Sequence, residues 1–157
     1  MNKIPMTSSG YDMLQEELKK LINKDRPCII AAIAEARSHG DLSENAEYQY
    51  AKEQQSLIEG KIQELEATTA LAEIIDVSQL SGNEIKFGAT VEIEDEDNGN
   101  KSSYQIVGEY ESNIENKKLS INSPLARGLI GKTKDDFVEI NSPKGIKSYT
   151  ILSVKFI

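Results

Sequence analysis

The sequence has no tryptophan, a single cysteine, and aromatic residues at only 6% of its 157 positions. Large flat side chains supply much of the apolar area of a big core, so one such core is not expected. An elongated chain, or two small units, fits the length better. Cys28 stands alone, which excludes an internal disulfide and suits a reducing compartment. Its expected place is that of a small buried hydrophobe. No run of about 18 apolar residues occurs, so no membrane span and no membrane partner is expected. The opening MNKIPMTSSGYD lacks the apolar stretch of a secretory leader, and the chain reads as cytoplasmic. A basic excess is also missing: 18 Lys and Arg stand against 26 Asp and Glu, a net charge of −8. Proteins that hold nucleic acid through its phosphates draw affinity from counterion release and are usually basic. Direct, sequence-specific DNA binding is therefore disfavoured, and a protein partner or a metal is favoured.

What is present changes character near Asp76. Helix formers dominate before it. Short alternating blocks rich in β-branched residues, Gly, Asn and Ser follow it. The boundary falls in Val77–Lys86, giving a helical domain over 1–76 and a globular domain over 77–157. In the first, Thr7 or Ser8 can cap a helix whose apolar stripe runs through Met13, Leu14, Leu18, Leu21 and Ile22. Pro27 predicts a kink or short break, after which Ile29, Ile30, Ile33 and Ala34 resume the stripe. His39-Gly40 ends it. A second helix is expected from about Asp41–Ser43. Its seam is Tyr48, Ala51, Gln55, Ile58, Ile62, Leu65, Thr69 and Ala72, at alternating three- and four-residue steps. Two long helices joined by a short turn must run antiparallel, forming a hairpin with its tip near 38–47.

The second half predicts strands in KFGATVEIE, SYQIVGEY, KKLSIN, DFVEI and KSYTILSVKF. In the last, Thr150, Leu152, Val154 and Phe156 share a face. DEDNGN suits a hairpin turn, and SPLARGLIG a short helix with Ser123 as cap, Pro124 at its first position and Gly131 as stop. The fold class is α+β: a helical-hairpin coiled coil, then a small antiparallel sheet with one short helix.

The stretch EARSHGDLSENAEY, residues 35–48, carries the most chemical information. It places Asp41, Glu44 and Glu47 three residues apart at the tip of the hairpin. Asp-x-x-Glu is also how a helix begins, with one acid capping and the other reaching back to the cap. Alternatively, Asp41 and Glu44 are hard oxygen donors suited to Mg²⁺, too few to hold it alone and useful where another protein completes the site. Glu47 also reads as a solvated acid on the helix face. His39, with no second His or Cys beside it, reads as a turn residue.

EARSHGDLSENAEY closely resembles the tip segment of the Gre family of bacterial transcription elongation factors, of the GreA type. IPMTSSGYDMLQEEL resembles that family's opening, IIAAIAEAR the arm leading to the tip, and NSPLARGLIGK the signature of its C-terminal domain. The resemblance covers nearly the whole chain, with motifs in both halves. It implies a coiled coil followed by a domain similar to FK506-binding proteins. The globular domain would sit at the rim of the secondary channel of RNA polymerase, with Ser123 and Pro124 at the docking surface. The coiled coil would bring Asp41 and Glu44 to the catalytic centre, where they share a Mg²⁺ with the polymerase and promote hydrolysis of the extruded RNA 3′ segment. On this reading the factor is a monomer, binds no metal tightly when free, and is not itself an enzyme. Arg37 and Lys52 resemble the basic patch that contacts that RNA, although many relatives carry Arg where this chain has Lys52. A point charge still binds phosphate, but without bidentate geometry. The runner-up is a channel-binding regulator of polymerase that does not stimulate cleavage. A prolyl isomerase, suggested by the implied C-terminal fold, would need an aromatic-rich pocket. The aromatics of the second half are Phe87, Phe137, Phe156, Tyr104, Tyr110 and Tyr149, several of which the core needs.

Overall fold

The computed structural model describes residues 2–40 and 45–157. Its elements, in chain order, are β1 (Ile4–Thr7), α1 (Ser8–Lys20), a π-turn (Leu21–Asp25), α2 (Arg26–Arg37), α3 (Ala46–Ala70) and β2 (Ala72–Ile75). There follow β3 (Thr90–Asp95), β4 (Lys101–Val107), β5 (Lys118–Ser120), α4 (Pro124–Leu129), β6 (Phe137–Ser142) and β7 (Gly145–Lys155). Contacts divide the chain into two units, residues 1–2 with 11–72, and residues 3–10 with 73–157. The composition switch assigned 3–10 to the helical half, but these residues pack with the sheet unit instead. Strand β1 pairs with β2, and Met6 is buried.

The helical unit is built on an antiparallel pairing of α2 and α3. Arg26 pairs with Glu59 at one end, and the Asn45 side chain reaches Ala36 at the other, so one arm ascends as the other descends. Arg26 offers a two-pronged fork, Nε to Oε1 at 2.7 Å and Nη2 to Oε2 at 2.9 Å. That hydrogen bonding holds the Glu59 carboxyl below its ordinary range and raises the Arg26 guanidinium. The α3 seam follows its expected spacing through Ala51, Ile62 and Leu65, all buried. The next buried position is Thr68, not Thr69; the Thr68 hydroxyl donates to the Glu64 carbonyl, which satisfies it where water is excluded.

The first arm departs from expectation at Pro27. There is no break. A π-turn precedes it, with the Arg26 N–H donating to the Leu21 carbonyl, five residues back. A π-turn takes up one residue more than an α-turn, so the phase of the helix advances by one. Buried or half-buried positions therefore run Leu14, Leu18, Leu21 and Asp25, then Ile29, Ile33 and Ala36. An unbroken repeat would have used Cys28, Ala32 and Glu35. Cys28 is exposed, contrary to its expected burial. Met13 and Ile30, assigned to the apolar stripe, are 67% and 51% exposed.

The sheet unit orders its five main strands β5-β4-β3-β7-β6. All pairs are antiparallel except β4 with β5, which run parallel. This corrects the purely antiparallel sheet expected from sequence: chain 108–117 carries β5 back to start beside β4 instead of folding as a hairpin. The DEDNGN turn forms as expected, with Gly99 at φ +72 and its N–H donating to the Asp95 carbonyl. In β7 the expected face does not hold throughout. Opposite Glu92 and Ile93 the register skips Leu152, a bulge that brings Ile151 onto the same face as Val154 and Phe156. Ile151 is fully buried, in a core with Ile85, Val91, Ile106, Leu129 and Val138.

Close packing sets one test here. A methyl group on Gly108 would overlap the carbonyl oxygen of Pro5, whereas one on Gly60, inside α3, meets nothing within 4 Å. Gly108→Ala is expected to destabilise the sheet unit by about 1–3 kcal/mol. Gly60→Ala should stabilise α3 by about 0.5–1 kcal/mol. Thermal melts of the two variants check both signs.

Candidate functional site

The second helix begins later than the sequence suggested. Its cap is Asn45, at φ −87 and ψ 99, whose Oδ1 accepts from the Tyr48 N–H at 3.0 Å. The expected start at Asp41–Ser43, and a capping role for Asp41 and Glu44, are therefore not what begins α3. Asp41 and Glu44 themselves lie outside the described residues. Glu47 falls in the first turn of α3, exposed, at the positive end of the helix dipole. His39 is an exposed turn residue whose N–H donates to the Ala36 carbonyl at 3.2 Å.

Arg37 ends α2, where a cation complements the negative end of the dipole. Lys52 lies two turns into α3. Fifteen positions apart in sequence, they line one open groove of about 280 Å³ with Ile30, Ile33, Ala34 and Gln55. The other flank of the helix pair carries a trough lined by Ile29, Ala32, Ala36 and Ala51, with Glu35, Glu47 and Tyr50 at its edges. Helical periodicity separates them: residues 30, 33, 34 and 37 fall on one side of α2, and 29, 32 and 36 on the other. Basic and acidic side chains are thus sorted onto different flanks beside the turn. Tyr50, at the edge of the trough, is 64% exposed, and in sequence only its place outside the seam marks it.

In the sheet unit Ser123 caps α4 as expected. Its Oγ accepts from the Ala126 N–H at 3.2 Å and donates to the Ser120 carbonyl at 2.7 Å, while Pro124 takes the first helical position. Ser123 and Pro124 belong to a different unit from Arg37 and Lys52. A separate cleft in the sheet unit, of about 180 Å³, is bordered by Asp95, Asn98, Ser102, Tyr104 and Tyr149. Backbone donation from Asp97 is the main reason the Asp95 carboxyl titrates below its ordinary range, with Lys147 adding to it.

The N-terminal domain of GreA/GreB transcription elongation factors matches residues 4–74, and the C-terminal domain of GreA/GreB matches residues 80–156. The chain belongs to the GreA/GreB family of transcription elongation factors. Full-length relatives agree. Transcription elongation factor GreA of Phenylobacterium zucineum is 55% identical over 157 residues, covering 100% of both chains. That of Brucella anthropi is 57% identical over 157 residues. Among solved structures, the GreA factor homolog 1 protein of Thermus thermophilus is 26% identical and covers 98% of this chain and 99% of its own, at a TM-score of 0.45. As for any elongation factor of the GreA/GreB family, RNA polymerase is the partner the family implies. No helix among the described residues is long and apolar enough to cross a membrane.

Among the described residues, no group of three or more His, Cys, Asp or Glu is placed to hold a metal ion. The donor set that does suit a metal is Asp41 with Glu44: two carboxylates within four residues, right in chemistry for Mg²⁺ and too few to enclose it.

Proposed function

We propose that this GreA/GreB-family chain is a transcript-cleavage factor that acts through RNA polymerase and has no catalytic activity alone. The globular unit docks at the rim of the secondary channel, with Ser123 and Pro124 at the docking surface. The helical hairpin carries Asp41 and Glu44 to the polymerase's catalytic centre, where they complete the coordination of a Mg²⁺ held jointly with the polymerase. Bound there, the ion supplies activation of water and stabilisation of charge in the phosphodiester displacement. Hydrolysis of the extruded RNA 3′ segment leaves a new 3′ end in register, and elongation resumes. The factor works as a monomer in the cytoplasm and makes its RNA contact only inside the complex, which fits its net charge of −8.

The observation that carries this reading is that Arg37 and Lys52 line one groove, beside the turn at 38–40 that precedes Asp41 and Glu44 in sequence. A small basic patch on an acidic chain suits a short length of single-stranded RNA, not a duplex. The central experiment adds the protein and Mg²⁺ to a stalled, backtracked elongation complex and looks for released 3′ fragments. Their absence, with the protein bound, would favour a channel-binding regulator that does not stimulate cleavage.

The basic groove has its own test. Arg37→Ala with Lys52→Ala should reduce crosslinking to the RNA 3′ end while leaving polymerase affinity nearly unchanged. Removing two phosphate contacts to a single strand should lower the slope of log affinity against log salt by about 1.4. Unchanged crosslinking and salt slope would return both residues to the solvated surface.

A further inference from the structure

Asn45, inside the tip stretch and next after Glu44, does two jobs with one side chain. Its Oδ1 accepts from the Tyr48 N–H and caps α3, and its Nδ2 donates to the Ala36 carbonyl of α2 at 2.6 Å. Ala36 is 3% exposed, and its carbonyl already receives the His39 N–H at 3.2 Å. It is one of the carbonyls that the end of a helix leaves without an intrahelical partner. Asn, Asp and Ser are nearly equal as N-caps, so capping alone does not call for Asn. Asn alone carries its acceptor and its donor on two separate atoms; the Ser hydroxyl uses one oxygen for both, one bond closer to the backbone, and Asp has no donor when ionised. Asp would set a carboxylate against a helix C-terminus, where carbonyl oxygens and the dipole both repel it.

We infer that Asn45 is a positioning residue, which staples the end of α2 to the start of α3 and so fixes the two anchor points between which Asp41 and Glu44 lie in sequence. The inference rests on the proposed function for its readout but on the Asn45 geometry for its content. Eight residues, 37–44, separate Ala36 from Asn45 in sequence. The bond from Asn45 to the Ala36 carbonyl holds the two flanking ends at hydrogen-bond distance, and losing it frees one of them from the other. Catalytic groups misplaced by about 1 Å can lose about 100-fold in rate. Asn45 touches neither substrate nor metal on this account; it acts through the two acids.

The test uses the full-length protein with Asn45→Asp and Asn45→Gly. Both residues are accepted at a helix start and both lose the donor; only Asp adds charge. With backtracked elongation complexes, the concentration giving half-maximal cleavage should stay within about twofold of wild type, since docking lies elsewhere. The maximal rate should fall at least tenfold in both variants. Raising Mg²⁺ should not restore it, because metal affinity is not what was lost. Asp41→Asn, run alongside, separates two kinds of failure. If it cleaves like wild type, the transcript-cleavage reading is wrong. If it is inactive while both Asn45 variants reach the wild-type maximal rate, Asn45 is a cap and nothing more. A defect confined to Asn45→Asp would also overturn the staple, since it would trace to the added charge. Melting curves on both variants should lie close to wild type; a large drop in either would assign the defect to lost hairpin stability and count against positioning.

Discussion

Asp41→Asn and Glu44→Gln are each expected to lower the rate of RNA release by about 100-fold or more, the scale seen when a preorganised charge is removed from a transition state. Each substitution keeps size and some hydrogen bonding and removes only negative charge. The cap of α3 is Asn45, so neither change withdraws a ligand from the helix start, and melting temperature should barely move. Polymerase affinity should hold as well, if docking belongs to the globular unit. What is weakened is the grip on a shared Mg²⁺, so a Mg²⁺ series should recover part of the rate. A helix-start role for the two acids makes the opposite forecast: a small loss of stability and near-normal cleavage. Fragment release across the Mg²⁺ series, beside melting curves on the same proteins, decides between them.

The second large effect is on stability. Among the described residues, the buried apolar positions of the helical unit are few: Leu14, Leu21, Ala36, Ala51, Ile62 and Leu65. Ile62, 2% exposed, is among the largest of them. Ile62→Ala removes its buried bulk and leaves a cavity, for an expected cost of about 2–5 kcal/mol. In a unit with so small a core this is a large share of the total. Calorimetry should show an early transition for the hairpin, with the sheet unit's transition nearly in place, because its core is a separate cluster around Ile85, Val91, Ile106 and Ile151. One transition shifted as a whole would mean that the two units unfold together. Cleavage should fail at temperatures between the two transitions while binding to polymerase persists.

Much of this architecture is legible in the sequence. The α3 seam keeps a three-four rhythm over many turns, and contrast between apolar and charged positions marks it clearly. Ser123, Pro124 and Gly131 identify α4 because each has a distinct backbone preference. The first arm is harder beyond Pro27. IIAAIA is apolar nearly all round, so composition does not say which face turns inward, and a π-turn leaves no residue-type signature of its own. Cys28 and Ile30 therefore face solvent although their residue types suit a core. The bulge at Leu152 is similar: Ile151, Leu152 and Val154 are all fit for a core, and only pairing with β3 chooses among them. Asn45 does not stand out as the cap, because Asp41 and Glu44 satisfy the same start rule four and one residues earlier. Arg37 and Lys52 could be placed near the tip from sequence, but their shared groove depends on which way each helix is rotated.

That rotation hangs on the five residues Leu21–Asp25. A π-turn absorbs one extra residue, so deleting any one of the five would let α1 run into α2 as a continuous α-helix with Ile29, Ile33 and Ala36 still facing α3 and Arg37 still beside Lys52. Regularising the helix without removing a residue would instead turn everything from Arg26 to Arg37 by about 100° about its axis, set Cys28, Ala32 and Glu35 against α3 and swing Arg37 away from Lys52. The basic groove thus survives the loss of a codon here and fails if the extra residue is kept and the π-turn is not. A lineage that drops one residue from this stretch keeps the inner face of its arm and sheds only the π-turn.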